Sequence, residues 1–285
     1  MATRRDGIKL SKQQLRLLKP VERINFRVTH GLNWSSRTRR VLTKILSTWG
    51  TWWVEFLTSN IVQDHSFANF EKIDPNRAVL LVANHRSFND QFVIASRLFK
   101  FYGAHHNVYF PIRANFFYDN PAGLLVNFIF ASGVMYPPFV RDRKRLRWNQ
   151  TATDLMVELL KQPENMIGFH PEGTRNLGPD PYELLPAKPG CGELIYRANP
   201  NVVPVFLQGF PPDAGALLKS NFGGSPPLVH MVMGEPLDLS EFLDLEPSRK
   251  TYLKISQKVM TAIMGLAMQE KTIRACIDQA RQAAD

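Results

Sequence analysis

His85 and Asp90, in the stretch NHRSFND (84 to 90), are the first residues whose types and spacing suggest chemistry. A carboxylate can accept an imidazole N–H, fix the tautomer and leave the second ring nitrogen free as a general base. Five residues along one continuous helix turn through about 500°, leaving the two side chains roughly 140° apart, so the pair cannot meet on one helix face. It can meet if His85 stands on a turn and Asp90 in the first turn of the helix that follows. The same residues also fit a capping box, since Ser87-Phe88-Asn89-Asp90 has the Ser-x-x-Asp spacing in which the carboxylate only returns a hydrogen bond to the backbone. Spacing alone leaves both readings open.

A second candidate lies in HPEGTR (170 to 175). Gly173 permits close backbone approach to a ligand, Thr174 supplies a hydroxyl, and Arg175 a planar fork suited to phosphate oxygens. Glu172 would repel a phosphate unless it pairs with an arginine or accepts from a ligand hydroxyl. The plain alternative is a surface turn with a Glu/Arg pair. Arg141 opens the cationic run RDRKRLR (141 to 147) and closes the apolar stretch before it, a place where a guanidinium could enter a cleft. The other cations of that run read as a solvated face.

Short apolar runs must carry these groups. AVLLVA (78 to 83) suits a central strand covered on both faces, and a helix beginning near Ser87 continues from it. His85 then stands at a strand-to-helix turn, the edge of an open α/β sheet where ligands bind. NVYFPI (107 to 112), MIGF (166 to 169), NVVPVFLQG (201 to 209, interrupted by Pro204) and LVHMVMGEPLDL (228 to 239) read as further strands or strand-turn units. TATDLMVELLK (151 to 161), 249 to 268 and 270 to 284 have helical spacing.

The net charge of +10 comes from one end. Residues 1 to 50 hold twelve Lys or Arg against two acids, while the rest balances at 23 of each. A basic end suggests an anionic partner, nucleic acid or a membrane surface; no reader motif accompanies the charge, so no nucleic acid is expected. Residues 1–20 read as a basic, loosely ordered N-terminus. From Val41 to Leu57 the apolar residues fall within an arc of roughly 160°, predicting a strongly amphipathic helix. Four of the five tryptophans (Trp34, Trp49, Trp52, Trp53) lie in this region, and tryptophan beside Lys/Arg is what an interfacial helix carries. Packing of that face on the main domain is the alternative. The most apolar stretch, 122 to 136, spans only about 22 Å as a helix against a hydrocarbon core of about 30 Å, so a peripheral attachment is expected. Cys191 and Cys276 imply no disulfide framework, and no histidine set implies a metal.

His85 with Asp90, the 133 to 141 region, Glu172 to Arg175 and Val203-Pro204, in that order, together resemble the glycerolipid acyltransferases, and most closely the 1-acylglycerol-3-phosphate (lysophosphatidate) acyltransferase family. His170 stands where that family usually has phenylalanine, and Asn176 where serine is common. The resemblance implies an α/β fold, a mixed sheet flanked by helices with an N-terminal amphipathic helical membrane-binding motif. Residues 21–74 would form the membrane-association region and 75–285 the catalytic domain. It implies acyl transfer from acyl-CoA or acyl-carrier protein to the free hydroxyl of a lysophospholipid, with no cofactor beyond the donor. By position, His85 would deprotonate that hydroxyl and Asp90 orient the imidazole. Arg141, Glu172, Gly173, Thr174 and Arg175 would hold the glycerol phosphate, and Pro204 would shape the acyl side. Membrane lipids would be partners, at the cytoplasmic face. The rivals are an acyltransferase for another lysophospholipid or a lyso-aminolipid, and a non-catalytic peripheral membrane-binding protein.

Overall fold

Every residue of Val79–Ala83 is buried, as an apolar run covered on both faces should be. This computed structural model describes residues 10–211, 214–223 and 229–283. The chain begins with α1 (Lys12–Arg16), α2 (Pro20–Trp34), α3 (Ser36–Ile45), a π-helical turn at Leu46–Gly50 and α4 (Thr51–Thr58). Then come β1 (Val62–His65), β2 (Val79–Ala83), α5 (Asp90–Tyr102), β3 (Asn107–Tyr109), β4 (Ile112–Arg113), α6 (Ala114–Phe117), α7 (Pro121–Ala131) and β5 (Pro138–Phe139). The rest is α8 (Arg147–Leu160), β6 (Asn165–Phe169), α9 (Pro189–Ala198), β7 (Asn201–Gln208), α10 (Ala214–Phe222), β8 (Val229–Met233) and α11 (Arg249–Gln282).

The main sheet has the order β1-β8-β7-β2-β6-β3. β7, β2, β6 and β3 run parallel, β8 antiparallel to β7, and β1 parallel to β8, so the sheet is mixed. Because side chains alternate across a strand, Leu80 and Val82 join a core with Leu155, Leu194, Val259 and Ile263 of α8, α9 and α11. Val79, Leu81 and Ala83 face the opposite core, with Val54, Val93, Ile94 and Leu98 of α4 and α5. The register sets Val82 beside both Phe169 and Pro204, so the turns after β2 and β6 leave the same sheet edge as neighbours. A small parallel ladder, β4 with β5, stands beside that edge.

Four expectations change. Of the expected loose N-terminus, residues 1–9 lie outside the described residues; from Leu10 the chain is ordered, with Ser11 capping α1 and Leu18 buried in the core. The boundary expected at 74 cuts through folded structure, because β1 pairs with β8 and Phe67 and Phe70 are core residues. Strand β7 runs through Pro204 without interruption, and the two helices expected after 249 are the single helix α11. The amphipathic helix expected over Val41 to Leu57 is one rod made of α3, the π-helical turn and α4. The buried positions of this rod are Arg39, Thr43, Leu46, Gly50, Val54 and Thr58, whereas Val41, Ile45, Trp49, Trp52 and Phe56 are exposed. A stripe of mostly small or polar side chains packs inward, and most of the apolar arc points out.

Candidate active site

The turn between β2 and α5 carries His85, and Asp90 opens α5. His85 Nδ1 lies 3.0 Å from Asp90 Oδ2. Asp90 Oδ2 also accepts from the backbone N–H of Arg86 and Ser87, both at 2.9 Å. One buried carboxylate therefore takes the imidazole N–H and closes the turn, but no capping box forms: Asn89 is the N-cap of α5, and the Ser87 hydroxyl accepts from Asn89 N at 3.0 Å. An ionised carboxylate only accepts, so Nδ1 carries the proton and Nε2 is the basic nitrogen. Burial, followed by the nearby Arg175 and Arg113, pushes His85 down to about 4, and burial pushes Asp90 up to about 6.

The loop after β6 clamps this turn. Glu172 Oε1 accepts from His85 N at 2.9 Å and Oε2 from Leu185 N at 2.8 Å, while Asn176 N donates to His85 O at 2.7 Å. Gly173 adopts φ +69°, a left-handed conformation that favours glycine, and its N–H closes the turn onto His170 O. His170 stacks on His85 with ring centroids 3.8 Å apart and planes 9° from parallel. Its Nδ1 donates to Ala83 O at 3.0 Å, leaving Nε2 as the lone-pair nitrogen. Ligand atoms of His85, Asp90 and His170 lie within 4.8 Å of one another. A metal held by both rings would have to lie in both ring planes, which a near-parallel stack opposes, so this cluster is better suited to proton chemistry.

Beside it lies a cavity of about 560 Å³ lined by His85 and His170, by aromatic residues including Phe88, Phe92, Phe110 and Phe116, and by Arg113, Arg141, Thr174 and Arg175. Arg113 donates to Thr174 Oγ1 at 2.8 Å, and the Arg175 guanidinium covers the Phe88 ring at 3.8 Å. Burial and then the charges of Arg141 and Arg175 lower Arg113, so the three guanidiniums share one region. Among the described residues no carboxylate forms an ion pair with any of them. One end of the cavity is thus prepared for an anion and the rest for an apolar chain.

The structure brings His85, Asp90, Arg141, Gly173, Thr174 and Arg175 together. Two expected substrate contacts fall elsewhere. Glu172 is 1 % exposed and does not line the cavity; both its oxygens are held by backbone amides that would otherwise be unpaired. Pro204 is also absent from the cavity wall, because it lies within β7 under Gly234. Arg113 was missed, although it directly follows the apolar run of 107 to 112, the same signal that singled out Arg141. Gln91 was missed too. It lines the cavity, neither atom of its amide has a partner, and only a glycine at 168 leaves room for it, since a Cβ there would meet Gln91 Oε1 at 2.1 Å.

No curated protein matches the chain. Among solved structures, the 1-acyl-sn-glycerophosphate (LPA) acyltransferase PlsC from Thermotoga maritima matches over 85 % of this chain and 87 % of its own, with a TM-score of 0.50 and 19 % identity, a likeness of fold. The Acyltransferase family matches residues 65–208, a span that takes in half of the chain and contains both motif-bearing turns and the whole arginine cluster. The protein belongs to the acyltransferase family.

Proposed function

We propose that the protein transfers an acyl group from acyl-CoA or acyl-carrier protein to the free hydroxyl of lysophosphatidate, giving phosphatidate. The observation that carries this reading is the cluster of Arg113, Arg141 and Arg175, without carboxylate partners among the described residues, in the same cavity as the His85–Asp90 pair. The phosphate of the acceptor sits among the guanidiniums and its hydroxyl at His85 Nε2. Nε2 takes the hydroxyl proton as the oxygen attacks the thioester carbonyl. The tetrahedral intermediate expels the thiolate, which recovers the proton from Nε2. Asp90 stabilises the imidazolium between these steps, and no acyl-enzyme is formed.

Replacing Arg141 and Arg175 by alanine is expected to raise KM for lysophosphatidate by about tenfold or more per guanidinium, with a smaller change in KM for the donor. Steady-state rates at varied acceptor check this. An unchanged acceptor KM would move the phosphate elsewhere and favour a lyso-aminolipid or other phosphate-free acceptor.

The pH profile follows from the pair. Protonation of Asp90 below about 6 and of His85 below about 4 removes the base, so kcat/KM should be flat above neutrality and fall as pH drops through that window. An acid limb centred at or above 6.5 would identify a solvated histidine instead.

Membrane attachment is part of the proposal. No helix among the described residues is long and apolar enough to cross a membrane. Instead Trp49, Trp52 and Phe56 form an exposed stacked row. Trp49 Nε1 donates to Ile129 O at 2.9 Å, joining this row to α7, whose Leu125, Ile129 and Phe130 are also exposed. An apolar, tryptophan-rich face of this kind suits a bilayer interface. Serine at Trp49, Trp52 or Phe56 is expected to lower partition into anionic vesicles on the order of tenfold each, as co-sedimentation would show.

A further inference from the structure

A second cavity, of about 740 Å³, lies at the opposite edge of the sheet from His85. Its walls are the end of α2, one face of α3 with the π-helical turn, and the segments leading into β3 and β6. Arg39, Arg40, Lys44 and His105 line it, against one acid, Glu164.

Arg39 is the unusual member. It is 1 % exposed, yet all its partners are neutral: Nη1 donates to Asn33 Oδ1 at 2.8 Å, Nε to Thr43 Oγ1 at 3.3 Å, and the guanidinium lies 5.0 Å from the Tyr109 ring centroid. Nη2 has no partner. Among the described residues no carboxylate forms an ion pair with Arg39, Arg40 or Lys44. A buried cation without a counter-charge is strongly disfavoured, whereas a neutral side chain could brace Asn33 and Thr43 without that penalty. Burial accordingly holds the Arg39 pKa below its ordinary value. The charge makes sense if an anion enters the cavity.

We propose that this cavity is a second binding site, separate from the active site, and that it takes a phosphate group. Nη2 is buried beside the cavity without a partner, so a phosphate oxygen that reaches it would complete the guanidinium fork. Arg40 and Lys44, four residues apart on α3, share a face and add two mobile cations at the cavity. Two sources of phosphate meet this chemistry. One is a soluble phosphate monoester. The other is the headgroup of an anionic lipid, which the exposed Val41, Ile45 and Trp49 on the same rod would bring within reach. The inference stands apart from the acyltransferase reading, since it uses none of the residues of that site.

The test is binding to the full chain carrying Arg141→Ala and Arg175→Ala, so that phosphate at the active site is suppressed. Calorimetric titration with sn-glycerol 3-phosphate probes the soluble source. Vesicles doped with phosphatidate, compared with vesicles of equal surface charge doped with oleate, probe the lipid source. Saturable binding of the monoester supports a soluble ligand, and a preference for phosphatidate over oleate vesicles supports a headgroup. In either case Arg39→Met should weaken binding by about tenfold or more. The exposed pair Arg40→Ala/Lys44→Ala should also weaken it, and serves if Arg39→Met does not fold. Binding that survives these changes, or no phosphate preference in either arm, would overturn the proposal.

Discussion

Alanine at His85 is expected to lower kcat on the order of 10²–10⁴-fold while leaving the fold intact, because it removes the base that receives the acceptor's proton. The expectation of an intact fold rests on specific bonds. The contacts that fix the turn use the backbone of His85, its N–H to Glu172 and its C=O from Asn176, and these survive truncation of the ring. Asp90 keeps the amides of Arg86 and Ser87. Thioester consumption with saturating acceptor, beside a melting curve for each protein, separates the two effects. A variant with wild-type Tm and wild-type kcat would remove His85 from the mechanism.

Glu172→Ala should behave in the opposite sense, as a stability variant first. Its carboxylate is the partner of the backbone N–H groups of His85 and Leu185, which lie far apart in the chain. Leaving a buried donor unpaired costs about 1–3 kcal/mol, so losing both partners should cost about 2–6 kcal/mol, and Tm should fall by about 5 °C or more. Activity should fall because the His85 turn loosens. A residue that merely contacted the acceptor would raise KM and leave Tm alone, and that pattern would return Glu172 to the substrate site. The melting curve thus separates a brace from a ligand contact.

The difference between these residues also explains what was legible in the chain. Spacing brought His85 and Asp90 within reach of each other, because both lie within one strand-to-helix turn, but left open whether the carboxylate serves the ring or only the backbone. Glu172 was misread because its partners are backbone groups that no local pattern encodes: His85 N is brought to it by the β2–β6 register, and Leu185 N by the fold of the loop after β6. The buried strands were readable from continuous apolar runs. The rod from Val41 to Leu57 shows the limit of periodicity: the pattern locates an apolar face but says nothing of what covers it. Here Gly50, Thr43 and Thr58 turn inward, Trp53 packs partly against the core, and Trp49 and Trp52 are left outside. Arg39 was invisible for a related reason, since a cation in a basic N-terminal region looks solvated until the cavity beside β3 is seen.

The most direct test of the central claim is a comparison of acceptors with purified protein on vesicles and oleoyl-CoA as donor. The measured quantity is kcat/KM for lysophosphatidate against that for a monoacylglycerol with the same chain, which differs by the phosphate alone. The account predicts phosphatidate as the product and a preference for lysophosphatidate of about a thousandfold or more, from three guanidiniums worth roughly 1.5–3 kcal/mol each when charge-assisted. Equal rates with both acceptors, or transfer only to the phosphate-free one, would contradict it.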